Sequence, residues 1–174
     1  MYKREVWFKT LFERLGMKPA KGEIKKLINV YWNALESKVR PMPYAKQVLA
    51  RLKRDYKLVI ISDSDGSKEI KMKRLRKLGV VKYFDLIVTG DDVNSTKPDK
   101  KFYDFVFRKL KIKQRDCIMV GDKPEFDLKL AKKLGMKTVW LVYGDWAEKE
   151  KGKRFGYVDH EIRDLRKLVD IMTE

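Results

Sequence analysis

The chain has 174 residues, 44% of them hydrophobic, and its 42 Lys and Arg against 25 Asp and Glu give a formal net charge of +17. This much apolar material can bury the core of a single domain, which excludes a disordered basic tail. The single cysteine excludes a disulfide framework and a cysteine-based metal site, and it favours a cytoplasmic location. The longest uncharged stretch, residues 27–35, is too short to cross a bilayer, so we expect no membrane span.

The basic excess lies in the first two thirds of the chain. It indicates either an anionic partner such as nucleic acid or a Lys-rich solvated surface of the kind found in heat-adapted proteins. The cations are spread over predicted helix faces, without interleaved exposed aromatic residues or glycines. We therefore favour the solvated surface, and nucleic acid is not the expected partner.

Residues 5–16 and 21–37 carry apolar side chains near helical spacing and predict a helical hairpin. Pro41 and Pro43 end the second helix, and a third helix is expected over residues 44–55. From there the pattern changes to short apolar runs that alternate with helical segments. The predicted strands are 58–61, 86–88, 118–120 and 139–142, and the predicted helices are 67–78, 98–110, 127–134 and 162–172. This alternation predicts an α/β fold, with a parallel sheet flanked by helices on both faces.

Polar residues follow the first two predicted strands. In an open α/β sheet the ligand site lies at the carboxyl ends of the strands. Ser62 and Asp63 follow the first strand, where a hydroxyl and amides at a helix start can hold a phosphoryl oxygen. The alternative is a simple N-capping turn. Lys97 follows the second strand and precedes Pro98, and in isolation it indicates only a helix start with a solvated lysine.

Two carboxylates follow the third predicted strand. Asp122 and Asp127 flank a strand-to-helix turn, and hard oxygen ligands at such a turn suit Mg²⁺. The alternative is that Asp127 only caps the following helix.

The order and spacing of these clusters closely resemble the haloacid dehalogenase-like hydrolase superfamily. Ser62 matches its second motif, Lys97 its third, and Asp122 with Asp127 its fourth. The resemblance covers roughly residues 40–172. It implies a Rossmann-like core over residues 40–174, preceded by a partial helical cap over residues 1–39.

The resemblance also implies a function. The expected enzyme is a Mg²⁺-dependent phosphatase that acts on a small phosphate ester. Ser62 and Asp63 would contact the substrate, and Lys97 would act as a catalytic cation that offsets charge on the nucleophile and the phosphate. Asp122 and Asp127 would place the metal.

The family's first motif, a strand followed by Asp-x-Asp, supplies the nucleophile and precedes the cap. No such strand precedes residue 6, so we expect the chain to be incomplete and inactive. The segment 63–65 has the letters of this motif and is the alternative location. We favour Asp63 as the neighbour of the second-motif serine, and Asp65 as a helix cap.

The missing strand would be the central strand of the sheet. It would lie between the strand that ends at Ser62 and the strand that ends just before Asp122. Its absence leaves two strand edges unpaired, which favours a complementing strand or self-association. A rival hypothesis is a non-catalytic protein that binds phosphate or nucleic acid. A steep dependence of affinity on salt would identify nucleic-acid binding.

Overall fold

The computed structural model describes residues 4–64 and 66–173. The α-helices of this part of the chain are α1 (Arg4–Arg14), α2 (Glu23–Lys38), α3 (Ala45–Leu52), α4 (Lys68–Leu78), α5 (Gly90–Val93), α6 (Lys100–Leu110), α7 (Lys129–Lys133), α8 (Gly144–Lys149) and α9 (Lys167–Thr173). The strands are β1 (Val59–Ser62), β2 (Leu86–Thr89), β3 (Ile118–Gly121), β4 (Lys137–Leu141) and β5 (His160–Ile162). A π-helix, Pro124–Leu128, lies between β3 and α7. None of the helices in these ranges is both long and apolar enough to span a bilayer.

The chain divides into two compact units. The first consists of the described residues of Met1–Pro41 and Ser64–Val81, and it contains α1, α2 and α4. The second consists of Met42–Asp63 and the described part of Lys82–Glu174. The assignment of residues 1–39 to a cap and of residues 40–174 to a core stays a prediction.

The first unit is helical. Phe12 of α1 and Trp32 of α2 are buried, and the Trp32 ring packs edge-on against Tyr31 with 5.0 Å between centroids. At the start of α4 the Ser67 hydroxyl accepts a hydrogen bond from the amide of Ile70. Asp65, predicted to cap this helix, lies outside the described residues. Gly79 ends α4 with φ +68°, as the sequence predicts, because glycine adopts this left-handed conformation without a steric cost.

All the strand pairs of the second unit are parallel, which confirms the predicted α/β fold. β1 pairs with β2, and Ser62 lies opposite Thr89 at their carboxyl ends. β4 lies between β3 and β5 in a separate three-stranded sheet.

Helices cover both faces of these strands. On one face the aromatic side chains of α6, including Phe102 and Tyr103, form a core cluster with Val88 of β2, and Met119 of β3 packs against that cluster. This cluster therefore contacts both sheets. On the other face α3 and α9 pack on the three-stranded sheet around the fully buried Val139.

Two predicted elements were wrong in detail. Residues 162–172 were expected to form one helix, but residues 160–162 pair with β4 as β5, and α9 begins only at Lys167. The helix predicted from Asp127 is preceded by the π-helix, so Asp127 lies inside a helical turn and does not cap one.

The strands β1 and β3 are less buried than their apolar sequences predict. Every residue of both strands is half-buried, whereas the last four residues of β4 are fully buried. β1 and β3 belong to different sheets and are not paired with each other in the described part of the chain. Each therefore has one edge whose backbone groups lack a strand partner among the described residues, and the missing central strand stays a prediction.

Amide hydrogen exchange tests whether these strand edges are open. We expect alternate amides of β1 and β3 to exchange at least about tenfold faster than the central amides of β4, because β4 is bonded on both sides. Amide exchange followed by NMR gives the comparison residue by residue. Equal protection of β1, β3 and β4 would contradict the open-edge description.

Candidate functional site

The predicted site residues lie where strands of the second unit end. Ser62 is the last residue of β1, and Asp63 follows it. Lys97 lies between β2 and α6, and its peptide bond to Pro98 is cis. Asp122 directly follows β3, and Asp127 lies in the π-helix after it. All five residues belong to one compact unit.

Lys97 links the segment after β1 to the segment after β3. Its backbone amide donates to Asp63 Oδ1 at 2.9 Å, and its ammonium donates to Asp127 Oδ1 at 2.6 Å. The Asp127 side chain is 4% exposed and that of Lys97 is 17% exposed. The contact is therefore a desolvated ion pair that joins the carboxyl ends of the two sheets.

Asp127 has further contacts that hold it in place. Its Oδ2 accepts from the amide of Lys123 at 3.3 Å, and its carbonyl oxygen accepts from the hydroxyl of Tyr103 at 3.0 Å. Burial, followed by the charge of Asp127, raises the pKa of Tyr103 far above its usual range. The phenol therefore stays protonated and remains a donor.

The side chains of Ser62 and Asp122 do not take part in the hydrogen bonds that join Asp63, Lys97 and Asp127. The Ser62 hydroxyl donates to the carbonyl oxygen of Asp63 at 3.0 Å. The carbonyl oxygen of Asp122 accepts from the indole Nε1 of Trp140 at 3.3 Å, which fixes the backbone of the turn. The Asp122 carboxylate makes no hydrogen bond or ion pair with any described residue. The structure thus joins Asp63, Lys97 and Asp127 by direct contacts, and it leaves Ser62 and Asp122 at the ends of their strands.

The acidic side chains fit Mg²⁺ as a partial ligand set. Asp122 is half-buried and uncommitted, while Asp127 is already neutralised by Lys97. Within residues 4–64 and 66–173, no three His, Cys, Asp or Glu side chains are grouped closely enough to hold a metal. Mg²⁺ usually takes one or two protein carboxylates and completes its shell with waters and substrate phosphate. Asp122 is therefore the more available of the two candidate ligands.

Sequence reasoning missed three positioning residues. Tyr103 lies in an aromatic-rich helix, so its hydroxyl carried no separate signal. Trp140 gave only the signal of an apolar strand residue. Gly121 is needed for a steric reason: an added Cβ would lie 2.5 Å from Asp127 Cβ and 2.6 Å from Asp127 Oδ2.

Replacing Gly121 with alanine tests this close approach. We expect Gly121→Ala to lower the free energy of unfolding by about 1–3 kcal/mol, because Asp127 must move away from Lys97. Urea denaturation gives the value. Gly156→Ala is the matched control, since an added Cβ there meets nothing within 4 Å, and we expect a change within about 0.5 kcal/mol. Equal effects at the two positions would disprove the packing argument.

Comparisons with known proteins find relatives of similar sequence. Glyceraldehyde 3-phosphate phosphatase from Methanocaldococcus jannaschii is 32% identical over 146 residues, which cover 83% of this chain and 62% of that protein. Pyrimidine 5′-nucleotidase from Escherichia coli is 31% identical over 135 residues, which cover 77% of this chain and 57% of that protein. The chain thus spans about three fifths of these relatives, whose activities can be transferred to it only as a proposal.

A solved structure shows the same fold. The magnesium-bound HAD-hydrolase YfnB from Bacillus subtilis aligns with a TM-score of 0.77 at 23% identity, over 100% of this chain and 74% of that one. The sequence profile of haloacid dehalogenase-like hydrolases matches residues 4–141, most of the chain. The profile and the two relatives above 30% identity place this chain in the haloacid dehalogenase-like hydrolase family.

Proposed function

We infer that this protein is the larger part of a phosphatase that releases phosphate from a small phosphate ester. The observation that carries the proposal is the buried Lys97–Asp127 pair at the carboxyl ends of the strands. Phosphoryl transfer needs fixed positive charge at the transferring group and little other chemistry from the protein. The names of both curated relatives, a phosphatase and a 5′-nucleotidase, support a phosphate ester as the substrate.

Each site residue has a proposed role. The Ser62 hydroxyl, at the end of β1, binds a phosphoryl oxygen, and Asp63 holds the Lys97 backbone in place beside the substrate. The ammonium of Lys97 offsets the negative charge that the transferring group brings. Asp127 orients that ammonium, and the backbone of Asp127 is in turn held by Tyr103. Asp122 and Asp127 are the proposed Mg²⁺ ligands, and the bound ion would neutralise charge on phosphoryl oxygens.

The proposal includes a separate source for the nucleophile. A phosphatase of this type needs a carboxylate that attacks phosphorus, and no strand followed by Asp-x-Asp precedes α1 in the printed sequence. The open edges of β1 and β3 are the proposed place for the missing strand, either from an upstream segment or from a second chain. The backbone groups at these half-buried strand edges have no strand partner in the described part of the chain, and open edges of this kind pair readily with another chain. We therefore expect the isolated chain to self-associate or to be only partly ordered until the strand is supplied.

Completion by a strand is testable by activity. We expect the 174-residue chain to show negligible Mg²⁺-dependent hydrolysis of p-nitrophenyl phosphate. An N-terminal extension that consists of an apolar strand ending in Asp-x-Asp should create that activity. The same extension with both aspartates replaced by asparagine is the matched control, and it should restore stability without turnover. If the unextended chain is as active as the extended one, the missing-nucleophile proposal is wrong.

Asp63→Asn in the unextended chain tests the alternative location of the nucleophile. Turnover that this substitution abolishes would assign the nucleophile to Asp63. Turnover that survives it would require a nucleophile elsewhere in the chain.

In the extended chain, Asp122→Asn should lower activity more at limiting Mg²⁺ than at saturating Mg²⁺, since it removes the more available metal ligand.

Charge favours the second candidate, binding of an anionic polymer. Helix α4 carries six Lys and Arg among eleven residues. A non-catalytic protein that binds nucleic acid would lose affinity steeply with salt, whereas a phosphatase site for a small ester would not. We favour the phosphatase, because binding of an anionic polymer by surface charge would not require Ser62, Lys97 and Asp122 after the ends of β1, β2 and β3. The single cysteine supports a cytoplasmic location for this phosphatase.

A further inference from the structure

Exposed aromatic side chains lie at the same edge of the sheet as the proposed phosphate site. In the described part of the second unit, the exposed large apolar side chains are Tyr44, Phe126 and Tyr143. Phe126 is in the turn after β3 and is 42% exposed, and Tyr143 follows β4 and is 50% exposed. Tyr44 stacks on Arg166 with 4.1 Å between the guanidinium and the ring centroid, so its exposure has a local explanation. The exposure of Phe126 and Tyr143 has no such local explanation.

Trp146 completes this group. It lies in α8, and its ring meets that of Phe126 edge-to-face at 5.6 Å between centroids. β3 and β4 are parallel neighbours, with Gly121 opposite Trp140, so the segments that follow them emerge at one edge. We call Phe126, Tyr143 and Trp146 the aromatic edge. Phe126 is in the same turn as Asp122, so one ring of the aromatic edge belongs to the segment that carries the proposed metal ligand.

Buried residues fix the backbone that carries the aromatic edge. Pro124 and Leu128, on either side of Phe126 in the π-helix, are fully buried. Leu128 forms a core cluster with Trp140 and Val142, and Ala147 of α8 packs against that cluster. The exposed rings therefore stand on fixed supports, which lowers the entropy cost of binding a ligand on them.

Two ammonium groups flank the aromatic edge. Lys123 Nζ lies 5.4 Å and Lys149 Nζ lies 4.9 Å from the centroid of the Trp146 ring. Neither lysine has an acidic partner among residues 4–64 and 66–173. Exposed rings beside uncommitted N–H donors suit a flat ring that carries carbonyl oxygens, because the ring stacks and its oxygens accept hydrogen bonds.

We propose that the aromatic edge binds the organic part of the substrate, and that this part contains a flat heteroaromatic ring of the nucleobase type. The proposal rests on the phosphatase function proposed above and adds the class of leaving group. A ring on Phe126 and Tyr143 places the phosphate of the same molecule toward Asp122 and the strand ends. A substrate without such a ring, such as a sugar phosphate, leaves the aromatic edge in water.

Binding to the full chain completed by the Asn-x-Asn extension, which supplies the strand but no nucleophile, tests this assignment without turnover. Isothermal titration compares uridine 5′-monophosphate with ribose 5-phosphate, which has the same phosphate and sugar but no base, in the presence of Mg²⁺. We expect the nucleotide to bind at least about tenfold more tightly, since stacking on aromatic side chains supplies a gain of that size. Phe126→Ala and Trp146→Ala should remove this preference and leave the affinity for ribose 5-phosphate unchanged.

Two control variants separate the possible failures. Tyr83→Ala removes a half-buried aromatic ring before β2, at the opposite edge of the sheet, and should keep the preference. Ser62→Ala should weaken both ligands equally. Equal affinities for the two ligands that both fall in Ser62→Ala would overturn the aromatic edge and leave the phosphatase proposal standing. No binding of either ligand, or binding that Ser62→Ala leaves unchanged, would overturn the phosphatase proposal and the aromatic edge with it.

Discussion

The ion pair between Lys97 and Asp127 is the contact on which the arrangement of the strand ends depends. Removing both charges from water is costly, and the attraction between them offsets this cost only when the remaining hydrogen-bonding capacity is satisfied. Here Asp127 also accepts from the amide of Lys123 and through its carbonyl from Tyr103, while the backbone of Lys97 donates to Asp63. The pair joins two sheets that share no described strand pairing. Loss of either partner would leave a buried charge uncompensated and would also separate the two sheet ends.

The same contact explains why a divided sheet can still present one edge for chemistry. The core cluster that includes α6 contacts both sheets on one face, and the Lys97–Asp127 pair joins their carboxyl ends. In the described part of the chain β1 and β3 are nevertheless not paired with each other, and both are half-buried. An inserted strand would therefore find its two neighbours already aligned in direction, with their polar ends held. Insertion would bury apolar side chains and satisfy backbone groups in one step, which is why stability and activity are expected to appear together.

Much of the fold was predictable because β-branched runs and the glycine at the end of α4 are strong local signals. β5 was missed because residues 160–162 contain only one apolar residue, and their pairing with β4 is a tertiary effect. The order of Ser62, Lys97, Asp122 and Asp127 located the site, but their contacts did not follow from spacing. Asp127 was expected mainly as a metal ligand, and the direct contact with Lys97 depends on the π-helix, whose extra residue no local pattern indicates. Full burial of Asp127 and partial burial of Asp122 in a single turn depend on tertiary contacts, which include those with Tyr103 of α6 and with Trp140.

The turn after β3 contains a glycine that allows close packing, a candidate metal ligand and an exposed aromatic ring. Within seven residues it contains Gly121, which lets Asp127 approach the strand, the uncommitted Asp122, and the exposed Phe126. In the π-helix Asp127 and Leu128 are buried while Phe126 is exposed, so neighbouring residues of one turn face the core and the solvent. The ion pair and Phe126 of the aromatic edge thus depend on the backbone of the same short turn. Any substitution that restores a regular helix here should disturb charge placement and ligand contact together, which ties the choice of substrate to the stability of the site.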